Sequence, residues 1–390
     1  MVWKLTRDRS SALLLYYSMI AIGIAGLLSP TRYNILPANS LLEAIFFACA
    51  ILAFRVPKKS IIFFFVGSLL YVIGSFALMT LFKPADYLDF AQTYKAFIYI
   101  APLCVFYKND IFSRERTLSL LKVLLVFFAI KYLYSILLNF TPRMGTRPGI
   151  YVENNFELIF LILLFYVMRF DFGRSLNKWF ALLLFVVIIS GSRSSMLAML
   201  VMFFGIYLTK ISLKTFFYFL GMAILGLAAV AMFALRSKGG GVESIDRYKF
   251  MMVFVYEVSN WPLWKFFTGN FPITALSPES CKSLSSYHRL FSFSGDGTCY
   301  SVILHSYFLR AILDHGILGL LFLFGFIAFA MRKSKYSTMD VVIFLGIIST
   351  SALSVSAVNN VFVSLALALA LGLMPLADQR AQQNPRMKLA

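Results

Sequence analysis

Ile61-Ile-Phe-Phe-Phe-Val-Gly-Ser-Leu-Leu-Tyr-Val-Ile-Gly-Ser-Phe-Ala-Leu-Met-Thr-Leu-Phe82 is an apolar run with no charged residue in it. Its length is close to the ~20 residues a helix needs to cross ~30 Å of hydrocarbon. Backbone N–H and C=O groups in lipid must be satisfied within the protein, which leaves helices or a closed barrel. Barrel strands alternate polar and apolar side chains, and this stretch does not. It reads as a membrane-spanning helix, and it sets the fold class as all-α.

The rest of the chain repeats the pattern. Hydrophobic residues make up 60% of the 390 positions, and the mean hydropathy is +0.80, beyond what a soluble core of this size can hide. Apolar runs place spans near 11–29, 38–54, 60–82, 93–107, 118–140, 153–168, 179–192, 195–209, 215–235, 305–331, 339–357 and 361–377. The expected architecture is a polytopic bundle of about 12 transmembrane helices. The first span follows Lys4, Arg7 and Arg9, and with no small-residue cleavage site ahead of a polar domain it reads as retained.

The net charge of +19 raises the question of nucleic acid, but the positive charges fall in small groups between apolar runs. Seven segments on alternate sides hold 20 of the 36 basic residues. They are Lys4/Arg7/Arg9, Arg55/Lys58/Lys59, Lys108/Arg114/Arg116, Arg169/Arg174/Lys178, Lys210/Lys214, Arg332/Lys333/Lys335 and Arg380/Arg386/Lys388. The opposite short loops hold Arg32, Lys83, Arg143 and Arg147. Basic loops stay on the cytoplasmic side, so both termini are expected there. The organisation is then spans one to nine over 1–235, a large non-cytoplasmic loop over 236–304, spans ten to twelve over 305–377, and a tail over 378–390.

Long loops in compact proteins are commonly functional or disordered. In this one, residues 248–264 carry aromatic and apolar side chains at helical spacing, predicting one or two helices at the membrane surface. Cys281 and Cys299 lie in the same loop, in an oxidising compartment, and are expected to form a disulfide, with two unrelated thiols as the alternative. Closure would contribute ~3 kcal/mol. Cys49 and Cys104 fall in spans and read as small packing residues.

Ionisable groups at membrane depth are costly and point to function, and four clusters lie at the outer ends of spans. Gly191-Ser192-Arg193-Ser194-Ser195 interrupts a long apolar stretch and puts a guanidinium among small residues. Arg143 and Arg147 flank Gly and Pro in a short outer loop, where two guanidinium forks suit phosphate. Arg247 opens the first expected loop helix, while Lys265 reads as a solvated charge. For Arg193 and for Arg143 and Arg147 the alternative is anchoring to lipid headgroups, and for Arg247 it is a solvated basic face. The fourth cluster is His305, Ser306, Arg310, Asp314, His315, Gly316 and Gly319 at the mouth of the tenth span. Arg310 and Asp314 are four residues apart and able to pair on one helix face. His305 could accept a proton, or act as an interfacial polar cap.

The chain carries no phosphate-binding Gly-rich loop, no metal-site spacing and no convincing acidic pair in the outer loops. Neither ATP hydrolysis nor a metal is therefore expected, and no cofactor. Several arginines and a histidine around an outer loop suit a lipid-anchored substrate with clustered negative charge, such as a polyprenyl diphosphate.

On these residues the chain resembles the O-antigen ligase and O-antigen polymerase superfamily of bacterial envelope glycosyltransferases. The ligase-type pattern is His, then Asn/Ser/Gln, nine residues, Gly, two residues, then Gly, Thr or Asn. His305, Ser306, Gly316 and Gly319 match it. The turn at Arg193 is similar to the family's arginine between central spans, and Arg247 to its loop arginine; Arg143 and Arg147 match no family motif. The resemblance implies the all-helical fold of C-type lipid-linked sugar transferases, in the bacterial inner membrane. It also implies metal- and ATP-independent, inverting transfer of a glycan from undecaprenyl diphosphate to a hydroxyl on the periplasmic side. His305 would be catalytic, and Arg193, Arg247, Arg143 and Arg147 would bind diphosphate. Ser306, Arg310, Asp314, Gly316 and Gly319 would support them. The acceptor of a ligase is lipid A–core, and that of a polymerase is a second lipid-linked glycan. A polysaccharide or lipid transporter would use the same basic cavity, but would be expected to show repeat symmetry between halves, and no second copy of the His305 or Arg193 segment is present.

Overall fold

A computed structural model describes residues 2–138, 148–208, 246–353 and 356–373, without the side chains of 2–8 and 246. The expected ninth span at 215–235, Arg143, Arg147, Lys210, Lys214 and the tail at 378–390 lie outside the described residues. The described chain is all-helical; a single bridge between Phe112 and Leu373 is its nearest approach to a strand.

The helices are α1 (Val2–Leu28), α2 (Ala38–Leu52), α3 (Ile62–Phe82), α4 (Tyr87–Phe106), α5 (Arg114–Leu137), α6 (Asn154–Met168), α7 (Leu176–Ser190) and α8 (Arg193–Tyr207). After these come α9 (Asp246–Val258), α10 (Leu263–Thr268), α11 (Pro278–Ser283), α12 (Tyr307–Lys333), α13 (Thr338–Ala352) and α14 (Val361–Gly372). Five helical stretches are long and apolar enough to cross a bilayer, namely Arg9–Leu28, Ile62–Phe82, Arg114–Leu137, Gly173–Ser190 and Tyr307–Lys333. Five shorter apolar helices, α2, α6, α8, α13 and α14, accompany them. These lengths and compositions are those of a membrane protein.

The helix α3 shows which solvent the bundle is built for. It buries Ser68 and Ser75 and exposes Phe63 (70%), Leu70 (67%) and Ile73 (62%), the reverse of a water-soluble helix. Small residues let membrane helices approach closely. At the α8/α13 contact a Cβ on Gly205 would come within 2.8 Å of Ile343, and one on Gly346 within 3.0 Å of Val201. The pairings 205 with 343 and 201 with 346 run these two helices antiparallel.

Contacts between termini sort the helix ends into two groups. At one end, Arg114 and Asp171 form an ion pair at 2.6 Å, Arg169 pairs with Asp340, and Arg55 donates to the Asn109 carbonyl. Lys58 donates to the Lys108 carbonyl at the same end. At the other end lie the 263–303 segment, the N-termini of α4, α6, α8, α12 and α14, and the C-terminus of α13. Basic segments 55–58, 108–114 and 169 thus gather at the end opposite the long loop. The 93–107 span proves to be the later part of α4, which begins at Tyr87 because Asp86 caps it by accepting from the Leu88 amide at 2.8 Å.

Leucine at position 205 forces overpacking of the α8/α13 contact, at a cost of about 1–3 kcal/mol. Gly205→Leu is expected to lower the thermal unfolding midpoint in detergent by several degrees. Gly74→Leu, where a Cβ meets nothing within 4 Å, is expected to leave it unchanged.

Candidate functional site

The site is built on the start of α12. His305 precedes the helix and is exposed, and its ring stands edge-on to Phe250 with centroids 5.2 Å apart. Phe250 is buried on α9, one helical turn from Arg247, so Arg247 and Phe250 share a face. The α9 face that packs on His305 therefore brings a guanidinium toward the same region. Arg247 itself is exposed.

The loop has a small core of its own. Phe250, Val253, Leu276, Leu284, Cys299, Ile303, Leu304 and Leu313 pack together. Cys281 and Cys299 are joined by a disulfide with Cα atoms 5.7 Å apart, and the Leu276 amide donates to the Cys299 carbonyl at 2.9 Å. Glu257 fastens α9 to α11 by accepting from the Ser277 amide and from the hydroxyls of Ser277 and Ser280, at 2.9, 2.7 and 2.6 Å. In the same loop the exposed Asp296 is held below the usual carboxylate range by the Thr298 amide, the Thr298 hydroxyl and the Ser294 hydroxyl.

Arg310 and Asp314 are both buried and face each other with Nε and Oδ2 3.7 Å apart. Ser301 Oγ donates to Asp314 at 2.5 Å. Arg310 donates to the Gln92 carbonyl, which also accepts from Asn359 Nδ2 at 2.5 Å, and Asn359 Oδ1 accepts from the Ala96 amide at 2.9 Å. The pair thus ties α12 to α4, to the start of α14 and to the loop. Asp89 adds a further tie from α4, accepting from Ser292 Oγ at 2.5 Å and from the Phe293 amide.

Gly316 and Gly319 play distinct roles. Gly316 has φ +66 and breaks the helical path of α12, which lets the Leu313 carbonyl accept from the Asn270 amide at 2.6 Å. A Cβ on Gly316 would lie 2.2 Å from the Phe267 carbonyl oxygen, so the α10 segment seats on the helix only because that residue is glycine. A Cβ on Gly319 would lie 2.4 Å from that of His315. His315 is engaged on both nitrogens, Nε2 with the Thr93 carbonyl at 3.1 Å and Nδ1 with the Tyr71 hydroxyl at 2.9 Å. A carbonyl can only accept, so Nε2 carries the proton and Tyr71 donates to Nδ1. His315 is therefore a packing group in α12 rather than an available base.

Arg193 begins α8 and is half-buried. Gly191 turns the chain with φ +60. Ser192 caps α8 by accepting from the Ser195 amide at 3.3 Å and donates to Asn155 Oδ1 at 2.6 Å. Asn154 Nδ2 donates to the Ser190 carbonyl at 3.1 Å. The helix N-terminus adds its own positive dipole end beside this guanidinium. Ser306 Oγ donates to the Ala352 carbonyl at 3.3 Å, so His305 sits beside the last turn of α13. From the Val201–Gly346 contact, Arg193 lies ~12 Å and Ala352 ~9 Å toward the same end. His305, Arg193 and Arg247 thus share one end of the bundle.

Two further buried ionisable residues, Glu157 and Lys131, lie inside expected spans and outside the clusters described above. Glu157 accepts from the amides of Ile150 and Tyr151 at 3.0 and 2.8 Å, and Lys131 donates to the Ser29 carbonyl at 2.7 Å. Their charge at membrane depth was the available signal, and both secure loop backbone at the end that carries His305. Lys265, read as solvated, lines a groove beside α3 together with Lys83.

Comparison of the chain with protein-family models, curated proteins and solved structures finds no match.

Gly316→Ala is expected to detach α10 from α12 while leaving the bundle inserted, because the backbone conformation alone costs a non-glycine residue about 1–3 kcal/mol. Limited proteolysis within residues 263–274 should accelerate about tenfold. Unchanged cleavage would show that α10 is held by other contacts.

Proposed function

We propose that the chain is a membrane glycosyltransferase of O-antigen ligase type, joining a polyprenyl-diphosphate-linked glycan to a hydroxyl of lipid A–core. The observation that carries this reading is the exposed His305 imidazole beside Phe250, on the helix that bears Arg247 and at the bundle end that carries Arg193. In this reading the bundle crosses the inner membrane twelve times, and the basic end is cytoplasmic. The 236–304 loop then lies in the periplasm.

The chemistry follows from the residue types. The acceptor oxygen attacks the anomeric carbon while the bond from that carbon to the diphosphate oxygen breaks. The acceptor proton passes to His305. Undecaprenyl diphosphate departs with the bonding pair, and guanidinium groups at Arg193 and Arg247 stabilise the growing charge on its oxygens. Attack opposite the leaving group inverts the anomeric centre. Arg310 and Asp314, fully engaged with each other and with Gln92 and Ser301, hold the start of α12 in place.

Reconstitution with lipid-linked glycan and lipid A–core, without ATP or added metal, is expected to yield the joined product. Lengthening of the lipid-linked chain instead would make the protein a polymerase, and translocation with no new bond would make it a transporter. His305→Ala should insert normally and lose at least ~100-fold in rate. Arg193→Lys and Arg247→Lys should each be impaired, since lysine lacks the bidentate fork. Near-normal transfer by His305→Ala would remove the histidine from the mechanism.

A further inference from the structure

A groove of about 730 Å³ opens on the flank of the bundle between α3, α10, residues 269–274 and α12. Gly67, Tyr71, Phe97, Leu318 and Phe322 give it an apolar wall. His315, the one imidazole lining it, is already bonded through both nitrogens, so the wall offers little to a polar ligand. Lys83 and Lys265 also line it. Lys83 Nζ donates to Thr274 Oγ1 at 3.2 Å, and Lys265 Nζ stands 4.8 Å from the centre of the Trp261 ring. Beside them Leu263 and Trp264 are 78% and 64% exposed, the arrangement of a membrane–water interface with tryptophan and lysine as anchors.

An apolar trough with two cations beside it complements an amphiphile with a hydrocarbon chain and an anionic head. We propose that this groove binds one anionic phospholipid, with an acyl chain against Tyr71, Phe97 and Phe322 and the phosphodiester between Lys83 and Lys265. Lysine ammonium groups are compact point charges suited to a single phosphate, whereas guanidinium forks match paired phosphate oxygens better. None of Arg193, Arg247 and His305 lines the groove. The lipid site is therefore separate from the transfer site and independent of the reaction proposed for it. Bound there, the lipid would brace α10, and with it the segment seated on Gly316.

The test is native mass spectrometry of purified, delipidated full-length protein incubated with equal amounts of phosphatidylglycerol and phosphatidylcholine of matched chains. Wild type is expected to retain one phosphatidylglycerol, in about thirtyfold preference, as two lysines near an anionic headgroup would give. The Lys83→Ala/Lys265→Ala variant should bind both lipids alike. Gly67→Phe should retain neither, because its ring would enter the groove where a Cβ already lies 3.4 Å from Phe322. Gly74→Phe, on the same helix but with open space around it, should behave as wild type and shows that a bulky α3 residue is tolerated. Equal retention of the two lipids by wild type, or undiminished retention by Gly67→Phe, would overturn the proposal. Displacement of the phosphatidylglycerol by a polyprenyl diphosphate at equal concentration would also overturn it, and would give the groove to that lipid.

Discussion

Arg310 and Asp314, buried side by side in the first turns of α12, set the condition on which the rest of this bundle end depends. A lone charge in so apolar a setting is severely penalised, and removing one member of such a pair typically costs about 3–5 kcal/mol. Their attraction alone does not repay desolvation, so the remaining polar valences must be filled as well. The Gln92 carbonyl and the Ser301 hydroxyl fill them. One element is thereby obliged to meet α4, the approach to α14 and the end of the large loop at a single point. His305, between Ser301 and Arg310, inherits its position from that junction. It remains exposed while Arg310 and Asp314 beside it are buried.

The loop obeys a different logic from the bundle it sits on. It buries its own apolar side chains around Phe250, Leu284 and Leu304 and closes on a disulfide, as small extracellular domains do when a core alone is too small. The bundle turns serines inward and phenylalanines outward along α3, because lipid tails are as apolar as the interior and close helix contact must come from small residues. Two glycines join the two regimes. The broken helical path at Gly316 gives up regular α12 geometry so that Asn270 can bond the Leu313 carbonyl, and Gly269 meets it from the loop side, where a Cβ would fall 2.5 Å from the Gly316 nitrogen.

Much of this was legible in the sequence, for physical reasons. Runs such as 61–82 declare helices through length and composition, and the stepwise grouping of Lys and Arg sorts them into two ends. Arg310 and Asp314 declare their pairing through four-residue spacing in an apolar helix. The two histidines ten residues apart were harder. Nothing in composition tells an exposed His305 from a His315 consumed by Tyr71 and Thr93, because the partners come from helices more than 200 positions away. Glu157 and Lys131 are harder to recognise, because they bond backbone groups of loops, which no side-chain pattern announces. Arg193 was recognisable from the small residues that interrupt its apolar run. Its link to His305 runs through the α8/α13 packing, which depends on a register set only in three dimensions.

Every residue of α14 is buried, and the helix packs against α6, α4, α2 and α12. Among the described residues this helix thus lies at the centre rather than at the edge. During synthesis the earlier helices must enter the membrane and wait, with their inward faces against lipid or a chaperoning insertase, until residues 361–372 emerge to take the centre. A ribosome halted before Val361 would leave the inward faces of α2, α4, α6 and α12 without their partner, so these helices cannot reach their final packing until residues 361–372 have been made.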